Sequence, residues 1–438
     1  MTTTLPKPVR PSKPNHDGRL DPLRAKLEAG ERLTLEDGEL LYATPDIWSV
    51  LEMADGVRRR LHGVNAYYNI NRHLNYSNVC ALSCKFCEFY AKQGDEKAYT
   101  RDLEYVREQA RKAVESGATE IHSVGGLHPY LPFSYYTDMV AAIREEARKL
   151  GSDLHVKAFT AVEIVHLAKI AKVYKQSDRR AGIRWVLEKL KEAGLGSLPG
   201  GGAEVFDDRV HDEAFKGKIR SDVWLDVHTI AHELGLNTNA TMLYGHIEDR
   251  RERLVHMDML RKAQDVALAR LEYASDATGA ITLTRPGTPL PEHVAFGGRT
   301  LAGASGSSGQ TFGYFQTIIP LPFFPDGCEL EHLPGPSGLE NYRTLAVARL
   351  MLDNFPHVKA FWIMQTLPMA QVMLQSGADD IDGTVVWYDI TKVGGASTHQ
   401  EVDVWALQKA IREAGFTPVE RDTLYRRVVR DGKAWRVA

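Results

Sequence analysis

The sequence predicts an α/β chain folded as a parallel (β/α)8 barrel of the TIM type. Three observations predict it: eight short apolar runs bounded by turn residues, an amphipathic helical stretch following each, and polar or glycine-rich residues just past the strand ends. A chain of 438 residues is long for one domain, but barrels carrying insertions reach this size.

Residues 1–20 are rich in Pro, Lys and Thr and read as a disordered tail. Residues 21–63 read as a helical lead-in. Asp21-Pro22, Thr34-Leu35-Glu36-Asp37 and Asp46 each supply a helix start, followed by apolar residues at helical spacing. The lead-in carries no catalytic cluster and is expected to pack, closing the bottom of the barrel. The barrel itself spans 64–415, with strands at 64–75, 120–125, 153–160, 196–199, 238–245, 314–321, 360–365 and 383–387. Helices are expected at 103–116, 135–150, 184–193, 221–234, 250–269, 339–354, 368–377 and 399–414. The stretch 272–312 breaks the rhythm with Arg-Pro-Gly-Thr-Pro-Leu-Pro and Gly-Ala-Ser-Gly-Ser-Ser-Gly. So long an insertion before strand six leaves from the helix side, which favours a surface elaboration over a lid. Residues 416–438 read as a packed C-terminal tail, a final strand or turn.

Composition narrows the function classes. With 43% apolar and 25% charged residues and a net charge of −3, nothing electrostatic points to nucleic acid or an anionic membrane as partner. No run approaches the roughly 18 uncharged apolar residues of a membrane span, and Met1–Pro8 lacks the apolar core of a secretory signal. Four cysteines, three of them clustered, do not make a disulfide framework, so a cytoplasmic, reducing setting is expected.

The strongest chemical signal is Cys80-x3-Cys84-x2-Cys87. Three thiolates on a short loop fill three corners of a 4Fe-4S cube and leave the fourth iron an open site, which suits chemistry better than electron carriage. Structural zinc needs four ligands, and neither His73 nor Cys328 stands at a usual spacing to be the fourth. An iron–sulfur electron-transfer protein and a zinc-stabilised binding protein are the alternatives from other classes. Cys328 has no neighbouring thiol and reads as inert.

Active sites of such barrels gather at the C-terminal strand ends. On strand one, Asn69, Asn71, His73 and Asn75 alternate toward the interior. The glycine pair Gly125-Gly126 at the end of strand two lets backbone approach a ligand. On strand three Lys157 shares a face with His155 and Phe159; an inward lysine seeks a carboxylate, of a ligand or of Glu163. Strand four ends in Gly200-Gly201-Gly202-Ala203-Glu204, a loop shaped to lie along a ligand with Glu204 free for hydroxyl or ammonium groups. Strand five ends in Tyr244-Gly245-His246-Ile247-Glu248, where hydroxyl, imidazole and carboxylate converge for binding or proton transfer.

The cysteine loop, with Phe86 just before its last cysteine, resembles the signature of the radical S-adenosylmethionine enzymes. The likeness narrows further. Gly-Gly-Leu-His-Pro at 125–129, Lys-Ala-Phe-Thr-Ala-Val-Glu-Ile at 157–164, Leu-Pro-Gly-Gly-Gly-Ala-Glu at 198–204, Asn-Ala-Thr-Met-Leu-Tyr-Gly-His-Ile-Glu at 239–248 and Arg-Leu-Met-Leu-Asp-Asn at 349–354 follow the order found in the aminofutalosine synthases. The sister family, the dehypoxanthine futalosine cyclases, is less similar at 157–164 and 242–246. Residues 265–312 depart from the family pattern.

The resemblance implies a 4Fe-4S cluster on Cys80, Cys84 and Cys87, and S-adenosylmethionine as a co-substrate. Phe86, Gly125, Gly126, Glu163, Gly201 and Glu204 would hold the latter. It implies addition of a 5′-deoxyadenosyl radical to 3-[(1-carboxyvinyl)oxy]benzoate in the futalosine route to menaquinone, fed by a low-potential donor such as a flavodoxin or ferredoxin. Such a substrate has two carboxylates, so Arg72, His73, Asn75, Lys157, His246 and Arg343 are the candidate substrate contacts. His246, Tyr244 and Lys157 are the candidate catalytic groups.

Overall fold

The computed structural model describes residues 16–278, 312–385 and 401–438. The expected strand at 64–75 is two strands with different partners. β1 (Asn65–Asn69) lies between β10 (Thr417–Glu420) and β9 (Asp380–Gly383), all parallel. After Ile70 the chain continues as β2 (Asn71–Leu74), which opens a seven-stranded parallel sheet. Its order is β2, β3 (Glu120–Ser123), β4 (His155–Ala158), β5 (Ser197–Leu198), β6 (Asn237–Tyr244), β7 (Phe315–Pro322) and β8 (His357–Val358). The sheet curls back on itself. A parallel bridge from Lys359 to Asp380 joins the end of β8 to β9, and the Asn71 side chain accepts from Val385 N (2.9 Å). Strand one thus serves both edges of an α/β barrel of the TIM-like type.

Helices cover the outside, and local chemistry sets where they start. Asp102 caps the helix Leu103–Glu115, Asp178 caps Arg179–Ala193 and Asp403 caps Val404–Glu413, each carboxylate accepting from a first-turn N–H. Two helices escaped sequence reasoning. Ala161–Ile170 opens with a Thr160/Glu163 capping box, residues read above only as strand end and site. Asp208–Ala214 lies in a stretch with no long amphipathic period. A third difference concerns 360–365. The uniformly apolar run Ala-Phe-Trp-Ile-Met cannot reveal its own period. The strand is His357–Val358, and Trp362–Gln365 is a helical turn behind it. The insertion 272–312, the end of the strand expected at 383–387 and the start of the helix expected at 399–414 extend outside the described residues.

The lead-in packs against the outer helices as well as the bottom. Thr34 and Asp37 form the expected capping box and Asp46 caps Ile47–His62. Asp21 is a helical residue of Asp21–Glu28 instead of its cap. Arg32 pairs with Asp265 (2.7 Å) on the helix Arg250–Thr278 and with Asp353 (2.9 Å) in the turn after the helix Gly338–Met351. At the bottom, His62 Nε2 lies 3.0 Å from the carbonyl of Pro356. After β10, the tail continues into the antiparallel hairpin β11 (Val428–Asp431) and β12 (Ala434–Val437).

Beneath the strands lies a buried charge network. Asp379 accepts from Val358 N (2.8 Å), the ring of His357 (2.6 Å) and Arg349. Next to it Arg421 donates to Asp380 (2.6 Å). Removing one member strands the opposite charge in the interior. Asp379→Asn should therefore lower global stability by about 3–5 kcal/mol, read as a clear fall in Tm. An unchanged Tm would deny the network that role.

Candidate active site

The C-terminal ends of the strands open onto one cavity of about 300 Å³. Cys80, Cys84 and Cys87 border it with Phe86, and the glycine turns at 125–126 and 200–202 form its walls. Its deeper surface is polar: Glu120, His122, Lys157, Asn239, Lys359 and Asp382. Barrel interiors are normally filled by layers of Val, Ile and Leu. Ionisable residues here leave room and chemistry for a ligand.

The glycines are required first by the protein itself. A Cβ on Gly126 would come within 2.3 Å of the Val79 carbonyl, so the turn can approach the cysteine loop only as glycine. At Gly200 a Cβ would meet the Ala240 backbone at 2.5 Å. Three non-glycine residues around the cavity adopt positive φ: Phe159 (64°), Glu204 (46°) and Asp382 (72°). Each such conformation costs on the order of 1–3 kcal/mol and persists where neighbours enforce it.

The thiols fit an open-site cluster. Burial pushes Cys84 up to about 11 and raises Cys87 as well, with the Lys218 ammonium opposing. Iron would reverse this, because a coordinated thiol is deprotonated. Cys328 is occupied elsewhere, its Sγ 3.1 Å from the Pro325 carbonyl, and does not border the cavity. Among the described residues, the one set of His, Cys, Asp or Glu with ligand atoms all within 4.8 Å is His62, His357 and Asp379. Sequence reasoning missed Lys218. It forms an ion pair with Glu204 and lies 4.9 Å from the Phe86 ring centre, beside the thiols. It stands in an irregular loop, so no periodicity pointed to it.

Lys157 finds its carboxylate inside the protein, on Glu120 and not on Glu163. Its Nζ lies 2.9 Å from Glu120 in an internal ion pair, and it borders the cavity. Burial lowers the lysine's pKa while Glu120 supports its charge. Lys359 makes a matching pair with Asp382 (2.9 Å). It falls one residue before the run read as strand seven, and was missed for that reason. Alternation of Glu120 with His122 on β3 was the available signal for the polar interior.

The other predicted residues lie elsewhere. Arg72 points outward to Gln109 on the helix Leu103–Glu115 (2.7 Å), as expected of a residue between inward-facing Asn71 and His73. Arg343 donates to the Leu41 carbonyl of the lead-in (2.7 Å). His73 is buried against His122, ring centres 4.5 Å apart, and burial lowers it to about 4. Asn75 donates to the Val124 carbonyl (2.8 Å). Tyr244 donates to Asn341 (2.9 Å), and His246 sits behind the wall with Nε2 3.2 Å from the Leu243 carbonyl and Nδ1 3.3 Å from Glu248. None of these six lines the cavity.

Cys84→Ser is expected to reduce iron and sulfide after anaerobic reconstitution to background, whereas Cys328→Ser should keep the wild-type content. Equal loss in both would contradict the ligand set.

Comparison with known proteins agrees with this geometry. Residues 74–260 match the radical SAM superfamily and residues 312–431 the CofH/MqnC C-terminal region. The chain is 39% identical over 416 residues to the aminodeoxyfutalosine synthase of Thermus thermophilus, covering 94% of this chain and 96% of that protein. It is 37% identical over 414 residues to that of Streptomyces coelicolor, covering 92% of each. It is 32% identical over 404 residues to the 5-amino-6-(D-ribitylamino)uracil–L-tyrosine 4-hydroxyphenyl transferase of Methanopyrus kandleri, covering 91% and 93%. A crystal structure of methylornithine synthase shares the fold, with a TM-score of 0.61 at 15% identity, covering 90% of this chain and 97% of that one. Radical SAM enzymes use a 4Fe-4S cluster and S-adenosylmethionine, and Cys80, Cys84 and Cys87 carry the motif for it. The chain belongs to the radical SAM superfamily and, within it, to the aminodeoxyfutalosine synthase family.

Proposed function

We propose that the enzyme joins the 5′-deoxyadenosyl group of S-adenosylmethionine to the enolpyruvyl carbon of 3-[(1-carboxyvinyl)oxy]benzoate, releasing methionine and one carboxylate carbon as carbon dioxide, to give 6-amino-6-deoxyfutalosine. The observation that carries the reading is one cavity bordered at one end by three thiols and deeper down by two buried lysines, Lys157 and Lys359. A cluster held by the three thiols would supply the electron that cleaves S-adenosylmethionine. The chain's own residues would do the rest.

Glycines 125–126 and 200–202 present backbone close to the adenosyl and methionine portions, with the Glu204–Lys218 pair beside them. Phe86, Leu321, Phe323 and Phe324 keep water from the reacting carbons. Lys157 and Lys359 face the substrate carboxylates, sharing their charge with Glu120 and Asp382. Tyr244 and His246, behind the wall, support it without touching substrate. A small flavodoxin or ferredoxin in a reducing cytoplasm would deliver the electron. Among the described residues no helix is long and apolar enough to cross a membrane.

The test is mass spectrometry of reduced, reconstituted enzyme with S-adenosylmethionine and the enolpyruvyl benzoate. A product with the adenine and ribose carbons joined to the benzoate is expected; deoxyadenosine alone would move the substrate to another relative. In a Glu120→Gln background, which avoids stranding a carboxylate, Lys157→Met should raise KM for the benzoate about 10–100-fold, the worth of one charged hydrogen bond. S-Adenosylmethionine cleavage without benzoate should change little, and equal loss of both would refute the assignment.

A further inference from the structure

Glu163 does more than cap a helix. Its Oε2 accepts from Thr160 N (2.8 Å) while Thr160 Oγ1 accepts from Glu163 N (3.3 Å), completing the capping box of Ala161–Ile170. A cap needs nothing further, and glutamine serves that purpose as well. The other oxygen, Oε1, accepts from the Tyr76 hydroxyl (2.7 Å) and from Gly125 N (3.0 Å). Its donors belong to the segment leading into the cysteine loop, four residues before Cys80, and to the glycine turn after β3. One buried carboxylate bordering the cavity therefore ties together three of the loops that surround it.

Little slack remains in this arrangement. A Cβ on Gly125 would meet the Tyr76 ring at 2.6 Å, so turn and ring are already in contact. Tyr76 is wedged among Phe159, Tyr135 and Tyr136.

We propose that Glu163 is the positioning residue of the S-adenosylmethionine pocket: by accepting from Tyr76 and Gly125 with one oxygen, it fixes the cysteine loop against the glycine turn and so sets affinity for the ligand both loops hold. The inference rests on the family's use of S-adenosylmethionine and not on the benzoate substrate, so the failure of either can be told apart.

An acceptor-only carboxylate meets all three donors, whereas a protonated or amide group loses at least one. Burial pushes the Glu163 carboxyl up to about 7. The titratable groups facing it are Tyr76 and, from the helix Phe133–Lys149, Tyr136, with Tyr135 behind Tyr76; burial raises all three, so they stay neutral. The pKa rises on folding from 4.5, so the stability this group contributes is complete below that value and is lost as pH rises through about 7. Ionising it costs stability that a cap alone would not require.

The experiment measures S-adenosylmethionine Kd on cluster-loaded wild type and Glu163→Gln, from the change in the reduced cluster's paramagnetic resonance signal, at pH 8 and pH 6. Comparing the two proteins cancels titration of the ligand's own amino group. The variant is expected to bind about ten-fold more weakly at pH 8 and about two-fold more weakly at pH 6, where most wild-type Glu163 is protonated. Iron content should stay that of wild type. A pH-independent ratio, equal affinities at pH 8, or iron content falling with affinity would overturn the proposal. Should Glu163→Gln not fold, Tyr76→Phe leaves the cap intact. It should weaken binding about three-fold with the cluster retained, and an unchanged Kd would overturn the proposal.

Discussion

The structure depends on matched burial of charge. A barrel interior that must hold a polar ligand cannot be filled with branched apolar side chains, and each charge placed there needs a partner. Lys157 meets Glu120 and Lys359 meets Asp382 around the cavity, while Arg421 meets Asp380 and Arg349 meets Asp379 below it. The same strands supply both sets. β9 and the residue before it carry Asp379, Asp380 and Asp382, so one short segment anchors the bottom network and the cavity. This explains how a barrel whose seven-stranded sheet ends in a two-residue strand can still close.

Above this layer, shape is set by backbone touching backbone. Gly126 against Val79 and Gly200 against Ala240 are contacts within the protein, and the shape of the cavity wall follows from them. Glycine in such turns is commonly ascribed to the ligand. Here the loops would fail to assemble before any ligand arrived. The strained conformations at Phe159, Glu204 and Asp382 belong to the same picture: packing holds the strand ends in positions the chain would not otherwise adopt.

Several features were legible because they are local. Strand and helix alternation, the caps at Thr34 and Asp46, and the spacing of three cysteines with an open corner all follow from residues within a few positions of each other. Errors arose where one local signal had two meanings. Thr160-x-x-Glu163 is a helix start, yet beside a strand end it was read only as a site. The run around Phe361 is apolar in every register, so strand and helical turn looked alike. Arg72 and Arg343 carry the right charge, but a cation near a strand serves a carboxylate only if its side chain faces inward; theirs bond Gln109 and Leu41 outside.

By itself the sequence determined an α/β barrel, a three-thiolate loop at the end of its first strand and the glycine turns around it, because periodicity and ligand spacing are short-range properties. Tertiary structure alone decided that strand one splits between two sheets, that Lys359 joins Lys157 in the cavity wall, and that Lys218 comes beside Phe86. It also decided that Tyr244 and His246 stand behind the wall and that Tyr76 and Gly125 share one oxygen of Glu163. Lys157 and Lys359 are far apart in the chain, and closure of the barrel is what brings both into one cavity. No property of either segment encodes that meeting.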